Sequence, residues 1–312
     1  MGKSKLCLVV PCYNEEEAIP IFYKETCRVL DDMNLSENEA EFVFVDDGSK
    51  DKTISVIKQL AGEDTRVHYI SFSRNFGKEA AIYAGLNKSS AEYTAILDAD
   101  LQHPPSLLPD MLKALDEEKY DCTAAKRITR KKEPMIRSLF SKLFYKIMNK
   151  MSESNTVYGA GDFRLMSENY KNAVLSLREK NRFSKGIFPW VGFRTKYFEY
   201  ENIERVAGKT KWSFSNLFVY AIDGLIGFST KPLTFAAIMG VLSIFVAFFL
   251  VAFIIIRKLV FGDPVQGWAS TVCLICFLGG LQLFSIGILG LYIAKIYTEV
   301  KDRPLYIVKE EG

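Results

Sequence analysis

Short apolar runs alternate with stretches of helical periodicity along the N-terminal part of the chain. The runs predict four buried strands, at Leu6–Val10, Glu41–Val45, Val67–Phe72 and Thr94–Leu97. The helical stretches that follow them end near Asp31, Gln59, Leu86 and Lys119. Strands that alternate with helices form parallel, doubly wound sheets. The pattern therefore predicts an α/β fold with a mainly parallel, Rossmann-like sheet.

Two long uncharged stretches dominate the C-terminal part. No charged residue lies between Lys231 and Arg257, and none lies between Asp263 and Lys295. Each stretch exceeds the roughly 20 apolar residues that cross a bilayer as a helix. The sequence therefore predicts two transmembrane helices, near 232–256 and 268–294, joined by a short loop. A pair of buried core helices is the alternative, although runs this long are rare in soluble cores.

Basic residues flank this pair of stretches mainly on one side. Arg205, Lys209, Lys211 and Lys231 precede the first stretch, and Lys295, Lys301 and Arg303 follow the second, whereas the connecting loop has Arg257 and Lys258. By the positive-inside rule, the N-terminal domain and the C-terminal tail are expected in the cytoplasm. The predicted organisation is a domain over 1–211, a juxtamembrane interfacial helix over 212–230, a transmembrane hairpin over 231–298 and a tail over 299–312.

Carboxylates lie where the fourth predicted strand ends. Thr94–Leu97 runs into Asp98-Ala99-Asp100, and Pro104 and Pro105 stop the extended segment. Residues i and i+2 of a strand share a face, so both aspartates can bind one hard cation such as Mg²⁺ or Mn²⁺. Open α/β sheets bind ligands at this end of their strands. The spacing predicts a metal–diphosphate site, and two surface aspartates beside a turn are the alternative.

Further polar clusters follow the other strands. Asp46-Asp47-Gly48-Ser49 suits the binding of ribose hydroxyls or a base edge, or else forms a turn with a helix N-cap. No G-x-G-x-x-G follows the first strand, which argues against a dinucleotide-binding domain. In Gly159-Ala-Gly-Asp-Phe-Arg-Leu-Met166 the glycines permit close approach, and Asp162 precedes an apolar run.

Two basic segments indicate contact with a membrane or a phosphate. A basic amphipathic helix at about 134–151 has the pattern of an interfacial helix, and packing on its own sheet is the alternative. The loop from Arg205 to Lys211 suits a lid over a bound phosphate, or a segment held by anionic lipid. A net charge of +3 is too small to indicate nucleic-acid binding.

Together these motifs resemble the inverting GT-A glycosyltransferases of family two, specifically the polyprenyl-phosphate (bactoprenol and dolichol phosphate) hexosyltransferases. The matching landmarks are Val10-Pro11-Cys12-Tyr13-Asn14-Glu15, Val45-Asp46-Asp47-Gly48-Ser49, Ser73-Arg74-Asn75-Phe76-Gly77-Lys78, Asp98 to Pro104, Gly161-Asp162-Phe163-Arg164-Leu165 and the Arg205 to Trp212 loop. They span nearly the whole chain in the expected order. The two C-terminal spans also fit this family.

The resemblance implies a role for individual residues. Pro11, Tyr13, Asn14, Glu15, Asp46, Asp47, Lys78, Asp98, Ala99 and Asp100 are expected to bind the nucleotide sugar, and Asp98, Asp100 and Gln102 to hold Mg²⁺ or Mn²⁺. Asp162 matches the proposed catalytic carboxylate and is expected to act with Asp100. Arg127 and Arg137 match positions that meet the lipid phosphate, and Arg205 with Lys211 the lid. Arg127 is the looser match, because Ala-Ala-Lys-Arg departs from the small-residue pattern usual there.

The expected reaction is inverting transfer of a hexose, glucose first, from a UDP-sugar to undecaprenyl phosphate at the cytoplasmic face of a bacterial membrane. UDP-GlcNAc or GDP-mannose as donor is the nearest alternative. A non-catalytic, membrane-tethered binding or assembly subunit is the alternative from another class. Gly279, Gly280, Gly287 and Gly290 permit close helix contact, so self-association is a further expectation. A flippase for the lipid-linked product is the expected downstream partner.

Overall fold

Eight strands of the N-terminal domain and the tail form one mixed sheet. The computed structural model describes residues 4–35, 39–128, 157, 159–201, 224, 226–227, 229–261 and 267–312. The strands are β1 Leu6–Cys12, β2 Ala40–Asp46, β3 Val67–Phe72, β4 Tyr93–Ile96, β5 Cys122–Arg127, β6 Ala160–Ser167, β7 Thr195–Tyr200 and β8 Val308–Glu311. Their order across the sheet is β7-β5-β6-β4-β1-β2-β3-β8.

Helices cover the sheet and continue beyond it. They are α1 Ala18–Asp32, α2 Thr53–Glu63, α3 Lys78–Lys88, α4 Leu108–Asp116, α5 Glu168–Ser176, α6 Ser184–Trp190, α7 Lys231–Phe261 and α8 Trp268–Val300. A short 3-10 turn at Pro105–Leu107 precedes α4.

The middle of the sheet is parallel, as the strand and helix alternation predicts. β4, β1, β2 and β3 are neighbours and all run in the same direction. Leu8 and Phe44 pack into one apolar cluster, whereas Val9 and Val43 pack into a second. Successive strand residues therefore point into different cores, and helices cover both faces, which explains the continuous apolar runs. The predicted α/β fold with a mainly parallel sheet is confirmed.

The antiparallel strand β6 lies between β4 and β5 and was not foreseen in the sequence. It pairs Ile96 with Arg164 in register, and on its other side Lys126 with Ala160. Because β6 runs against β4, the start of β6 lies at the carboxyl end of β4. This arrangement brings Asp162 to the edge of the sheet that carries Asp98.

The tail returns to the domain and closes the far edge of the sheet. β8 pairs antiparallel with β3, and Tyr69 and Gly312 exchange N–H···O bonds of 2.9 and 3.0 Å. Lys58 pairs with Glu310 at 2.7 Å, and the Tyr306 ring stacks on Phe72. An edge strand with free backbone groups is a site for unwanted pairing, and β8 covers it. The tail is thus part of the folded domain.

The two C-terminal helices are long and apolar enough to cross a membrane, over Lys231–Arg257 and Thr271–Val300. Their apolar side chains are exposed rather than packed in a core; the side chain of Phe248, for example, is 68% exposed. The structure therefore does not support the alternative of two buried core helices.

Several predicted elements lie outside the described residues. They are the amphipathic helix at 134–151, most of the helix at 212–230, and three site residues, Arg137, Arg205 and Lys211. Their roles stay predictions.

Candidate active site

A lysine bridges two carboxylates at the carboxyl edge of the sheet. The Lys78 ammonium lies 2.6 and 2.9 Å from the two oxygens of Asp98 and 2.7 Å from Oδ2 of Asp162. Lys78 is the first residue of α3, Asp98 follows β4 closely, and Asp162 lies near the start of β6. Three separate elements therefore bring together one cation and two anions.

The electrostatics of this cluster keep all three groups charged. Partial burial opposes the charge on Lys78, but Asp162 and Asp98 outweigh that effect and raise its pKa. Burial likewise opposes ionisation of Asp162, but Lys78 and then Lys185 hold the pKa of its carboxyl well below the usual range. The Lys78 side chain is 43% exposed, so solvent screens the cluster and a ligand can reach it.

The predicted metal ligands require a rearrangement before a cation can bind. Within the parts of the chain that the structure describes, no three His, Cys, Asp or Glu side chains are grouped to hold a metal ion. Asp98 faces Lys78, and Asp100 accepts the Gln102 backbone N–H at 3.1 Å. Asp98 is therefore free for a divalent cation only when Lys78 moves away from it.

A buried imidazole adds a donor that had no assigned role. His103 Nδ1 has no hydrogen-bond partner and lies 3.7 Å from Oδ2 of Asp98. Burial lowers the pKa of His103 more than Asp98 raises it, so the ring is neutral near pH 7. Two carboxylates and a neutral imidazole nitrogen fit a divalent cation such as Mn²⁺. Hence the donor set at this edge fits the expected metal.

Asp46 and Asp47 support the site from inside. Asp46 is 2% exposed and accepts hydrogen bonds from the Ser49 N–H at 3.1 Å and the Ser71 hydroxyl at 2.8 Å. Asp47 accepts the N–H groups of Phe76 and Gly77, at 2.6 and 2.9 Å. Burial raises the pKa of Asp47, although these two bonds oppose the shift. Asp47 therefore fixes the turn that ends at Lys78.

The loops after β1 and β2 are bonded together into one wall. Asn14 N–H donates to the Ser49 hydroxyl at 2.9 Å, and its side-chain oxygen accepts the Lys50 N–H at 2.8 Å. Glu15 N–H donates to the Thr53 hydroxyl at 2.8 Å. The predicted nucleotide-binding residues Pro11, Tyr13, Asn14 and Glu15 are all only partly buried there. The wall thus presents them next to Asp46.

Gly48 fits this wall only without a side chain. Its φ is +65°, and an added Cβ would lie 2.4 Å from the carbonyl carbon of Arg74. We expect Gly48→Ala to lower the free energy of unfolding by about 2–4 kcal/mol, from left-handed backbone strain and the backbone clash together. Chemical denaturation measures this loss. Gly62→Ala, with nothing within 4 Å of the added carbon, is the matched control and should be neutral or stabilising. Equal stability of the two variants would contradict the close approach.

Arg127 lies at the opposite side of the edge, with an aromatic neighbour that the sequence did not reveal. Arg127 pairs in register with Tyr200 of β7, and the Tyr200 ring lies 5.7 Å from the His103 ring. Phe163 contacts the same imidazole at 5.9 Å between ring centroids. β7 lacks a clear apolar alternation, so only the pairing with β5 identifies Tyr200 as a neighbour of the site.

Most predicted site residues therefore meet at one edge of the sheet. Lys78, Asp98 and Asp162 are in direct contact, and Ala99 is buried beside them. His103, Tyr200 and Glu79 are additional residues of this region. His103 was part of a quoted motif, and Glu79 follows Lys78 directly.

Comparison with known proteins identifies the family. The sequence profile described as Glycosyl transferase family 2 matches residues 7–173, which is more than half of the chain and contains the whole Lys78, Asp98 and Asp162 cluster. The chain belongs to glycosyltransferase family 2. It is therefore a glycosyltransferase, and the resemblance inferred from its motifs is confirmed.

Relatives in this family match along almost the entire chain. A protein named SfII prophage-derived bactoprenol glucosyl transferase, from Shigella flexneri, is 44% identical over 306 residues, covering 98% of each chain. The putative glycosyltransferase CsbB of Bacillus subtilis (strain 168) is 42% identical over 310 residues, 99% of this chain and 93% of that one. A solved glucosyl-3-phosphoglycerate synthase from Mycobacterium tuberculosis aligns with a TM-score of 0.48 and 15% identity, covering 72% of this chain and 79% of that one. Family membership rests on the sequence matches, which include both C-terminal helices.

Proposed function

We propose that this glycosyltransferase moves glucose from UDP-glucose to a polyprenyl phosphate, with inversion at the anomeric carbon. The observation that carries the proposal is the cluster of Lys78, Asp98 and Asp162, which joins a cation and two carboxylates at the ligand-binding edge of the sheet. The same chain carries two helices long and apolar enough to cross a membrane. Relatives named bactoprenol glucosyl transferases support glucose and a lipid acceptor.

The donor side of the mechanism depends on positive charge beside the diphosphate. Asp98, Asp100 and His103 would hold a divalent ion, which supplies charge stabilisation to the departing nucleotide diphosphate. Lys78 provides the cation that the chain itself contributes, and its exposed ammonium can bind phosphate oxygens. Asp47 fixes the backbone just before Lys78 and so limits how far this lysine can shift.

On the acceptor side, the chain has little need of a strong base. A phosphate monoester is mostly in its dianionic form near neutral pH, because its second pKa is about 6. Asp162 has a pKa well below the usual range for a carboxyl, which makes it a weak proton acceptor. We therefore assign Asp162 to orientation, through its bond with Lys78, rather than to proton abstraction.

The path of the chain supports a hairpin with both ends on one side of the membrane. The catalytic sheet precedes α7, and β8 after α8 is a strand of that same sheet. Two crossings return the chain to its starting side, so a shared sheet on that side is consistent with this topology. The basic flanks favour the cytoplasm. Self-association of the glycine-bearing helix and a downstream flippase complete the proposal.

Transfer by the purified full-length protein tests this function. The protein in lipid nanodiscs with undecaprenyl phosphate is given UDP-glucose, UDP-GlcNAc or GDP-mannose in parallel, with and without Mn²⁺ or Mg²⁺. We expect divalent-dependent formation of a glucosyl lipid, with the other two donors much slower. A faster reaction with UDP-GlcNAc or GDP-mannose would replace the donor in this proposal. Nucleotide binding without transfer from any of the three would favour a non-catalytic subunit.

A further inference from the structure

A carboxylate at the end of the second apolar helix binds a loop of the catalytic domain. Glu299 accepts the backbone N–H of Lys180 at 2.9 Å, that of Asn181 at 3.0 Å and the Asn181 side-chain amide at 2.9 Å. We call residues 177–183, between α5 and α6, the docking loop. Four hydrogen-bonding contacts from one short loop to one side chain, two of them shared by the Lys180 N–H, make a specific attachment.

The location of Glu299 is unfavourable for its own helix. It lies in the last turn of α8, where the helix dipole disfavours a negative charge, and no basic residue of that turn compensates it. The donors of the docking loop compensate this charge instead. An acidic residue that its helix does not favour, but that a separate loop binds with directed N–H groups, points to a role in joining the two parts.

The docking loop leads directly to the active site. Arg182 lies over the Tyr83 ring of α3, with 4.6 Å from the guanidinium carbon to the ring centroid. Ser184, which follows the loop, donates its N–H to both oxygens of Glu79 at 3.0 Å and also donates its hydroxyl to that carboxylate. Glu79 is the neighbour of Lys78 in the first turn of α3.

A second cation extends this connection. Lys185, the residue after Ser184, contributes to the depressed pKa of Asp162. The docking loop is therefore linked on one side to the end of α8, and on the other to residues beside Lys78 and Asp162. Hydrogen bonds and one ring contact form each step, without a gap in the described residues.

We propose that Glu299 and Asn181 form a joint that sets the distance and tilt of the active site relative to the bilayer, and so act as positioning residues for the lipid acceptor. This inference rests on the proposed function. A polyprenyl phosphate stays at the membrane surface, so its phosphate meets the donor only where the catalytic edge is held at the right height. A water-soluble acceptor approaches freely and does not depend on that height.

Glu299→Gln is the test, with two acceptors assayed side by side. The amide keeps the shape but replaces one accepting oxygen by a donor that faces other donors. We expect the apparent KM for undecaprenyl phosphate in nanodiscs to rise about tenfold, the size expected for loss of a charge-assisted bond. The KM for UDP-glucose and the rate with a short, water-soluble isoprenyl phosphate should stay within about twofold of the wild type, below the effect of one such bond.

Asp302→Asn is the matched control. It removes one negative charge just after the same helix end, but only the ion pair of Asp302 with the Lys180 ammonium at 2.8 Å, in which the Asp302 side chain is 83% exposed. Such pairs contribute little, so both acceptors should behave as with the wild type. In the double variant Glu299→Gln with Asn181→Asp, the new amide can donate to the new carboxylate. Partial recovery of the KM for the lipid acceptor is expected.

The outcomes separate this inference from the function on which it rests. Equal losses with both acceptors in Glu299→Gln would show a role in folding alone and overturn the joint. Unchanged KM for the lipid acceptor would overturn it as well. Transfer by the wild type to the short acceptor supports the proposed function whatever the variants do. Failure of the wild type with both acceptors would overturn the proposed function, and the joint with it.

Discussion

Asp98→Asn is expected to reduce transfer by at least about 100-fold, the usual cost of removing a group that stabilises transition-state charge. Two effects add in this variant. The amide is a poor ligand for Mg²⁺ or Mn²⁺, and it also loses its ion pair with Lys78, now 2.6 Å away. The measurement is the rate of glucosyl-lipid formation at saturating UDP-glucose over a range of Mn²⁺ concentrations.

The fold should survive this change, because the Asp98 side chain is partly exposed and replaced by one of equal size. Asp110→Asn, at an exposed position in the first turn of α4, is the matched control and should keep the wild-type rate. Wild-type turnover by Asp98→Asn at every Mn²⁺ concentration would remove Asp98 from the metal site. Loss of activity together with loss of the folded protein would point to stability instead.

The sequence predicted the parallel middle of the fold because local signals were strong there. The runs at Leu6–Val10 and Val67–Phe72 are continuous and apolar, as strands buried on both faces must be. The spans near 232–256 and 268–294 follow from length alone. Asp98 was found for the same local reason, since it directly follows a buried strand.

Contacts between distant segments could not be predicted in this way. Lys78 and Asp162 are 84 residues apart, and only the antiparallel insertion of β6 places them 2.7 Å from each other. β8 reads as a charged tail, Val-Lys-Glu-Glu, and becomes a strand because β3 offers it an open edge. Glu299 and Asn181 are 118 residues apart, and neither has a local pattern that announces the other.

The structure also changes the interpretation of Asp46 and Asp47. Both were expected to bind the nucleotide, yet their oxygens already accept hydrogen bonds from Ser49, Ser71, Phe76 and Gly77. Carboxylates at a strand end can thus organise the loops that carry a site. A D-D-G-S motif alone does not distinguish such a supporting role from direct contact with a ligand.

Asp162→Asn is expected to lower kcat by about 10- to 100-fold, in the range for one positioned charged group, while the KM for UDP-glucose changes little. The asparagine keeps the shape of the side chain but loses the full charge that holds Lys78 at 2.7 Å. The residual rate should persist, because the phosphate dianion of the acceptor is the nucleophile and needs no proton removed.

The pH profile of kcat decides between orientation and proton abstraction. Lys78 holds the pKa of Asp162 well below the ordinary carboxyl value, so Asp162 stays ionised throughout pH 5–9 and contributes no titration there. The rate should instead fall as the pH drops through about 6, where the acceptor phosphate gains a proton. Wild type and Asp162→Asn should therefore show the same acid limb. If that limb disappears in the variant while the acceptor is unchanged, Asp162 is the titrating group and acts as a base.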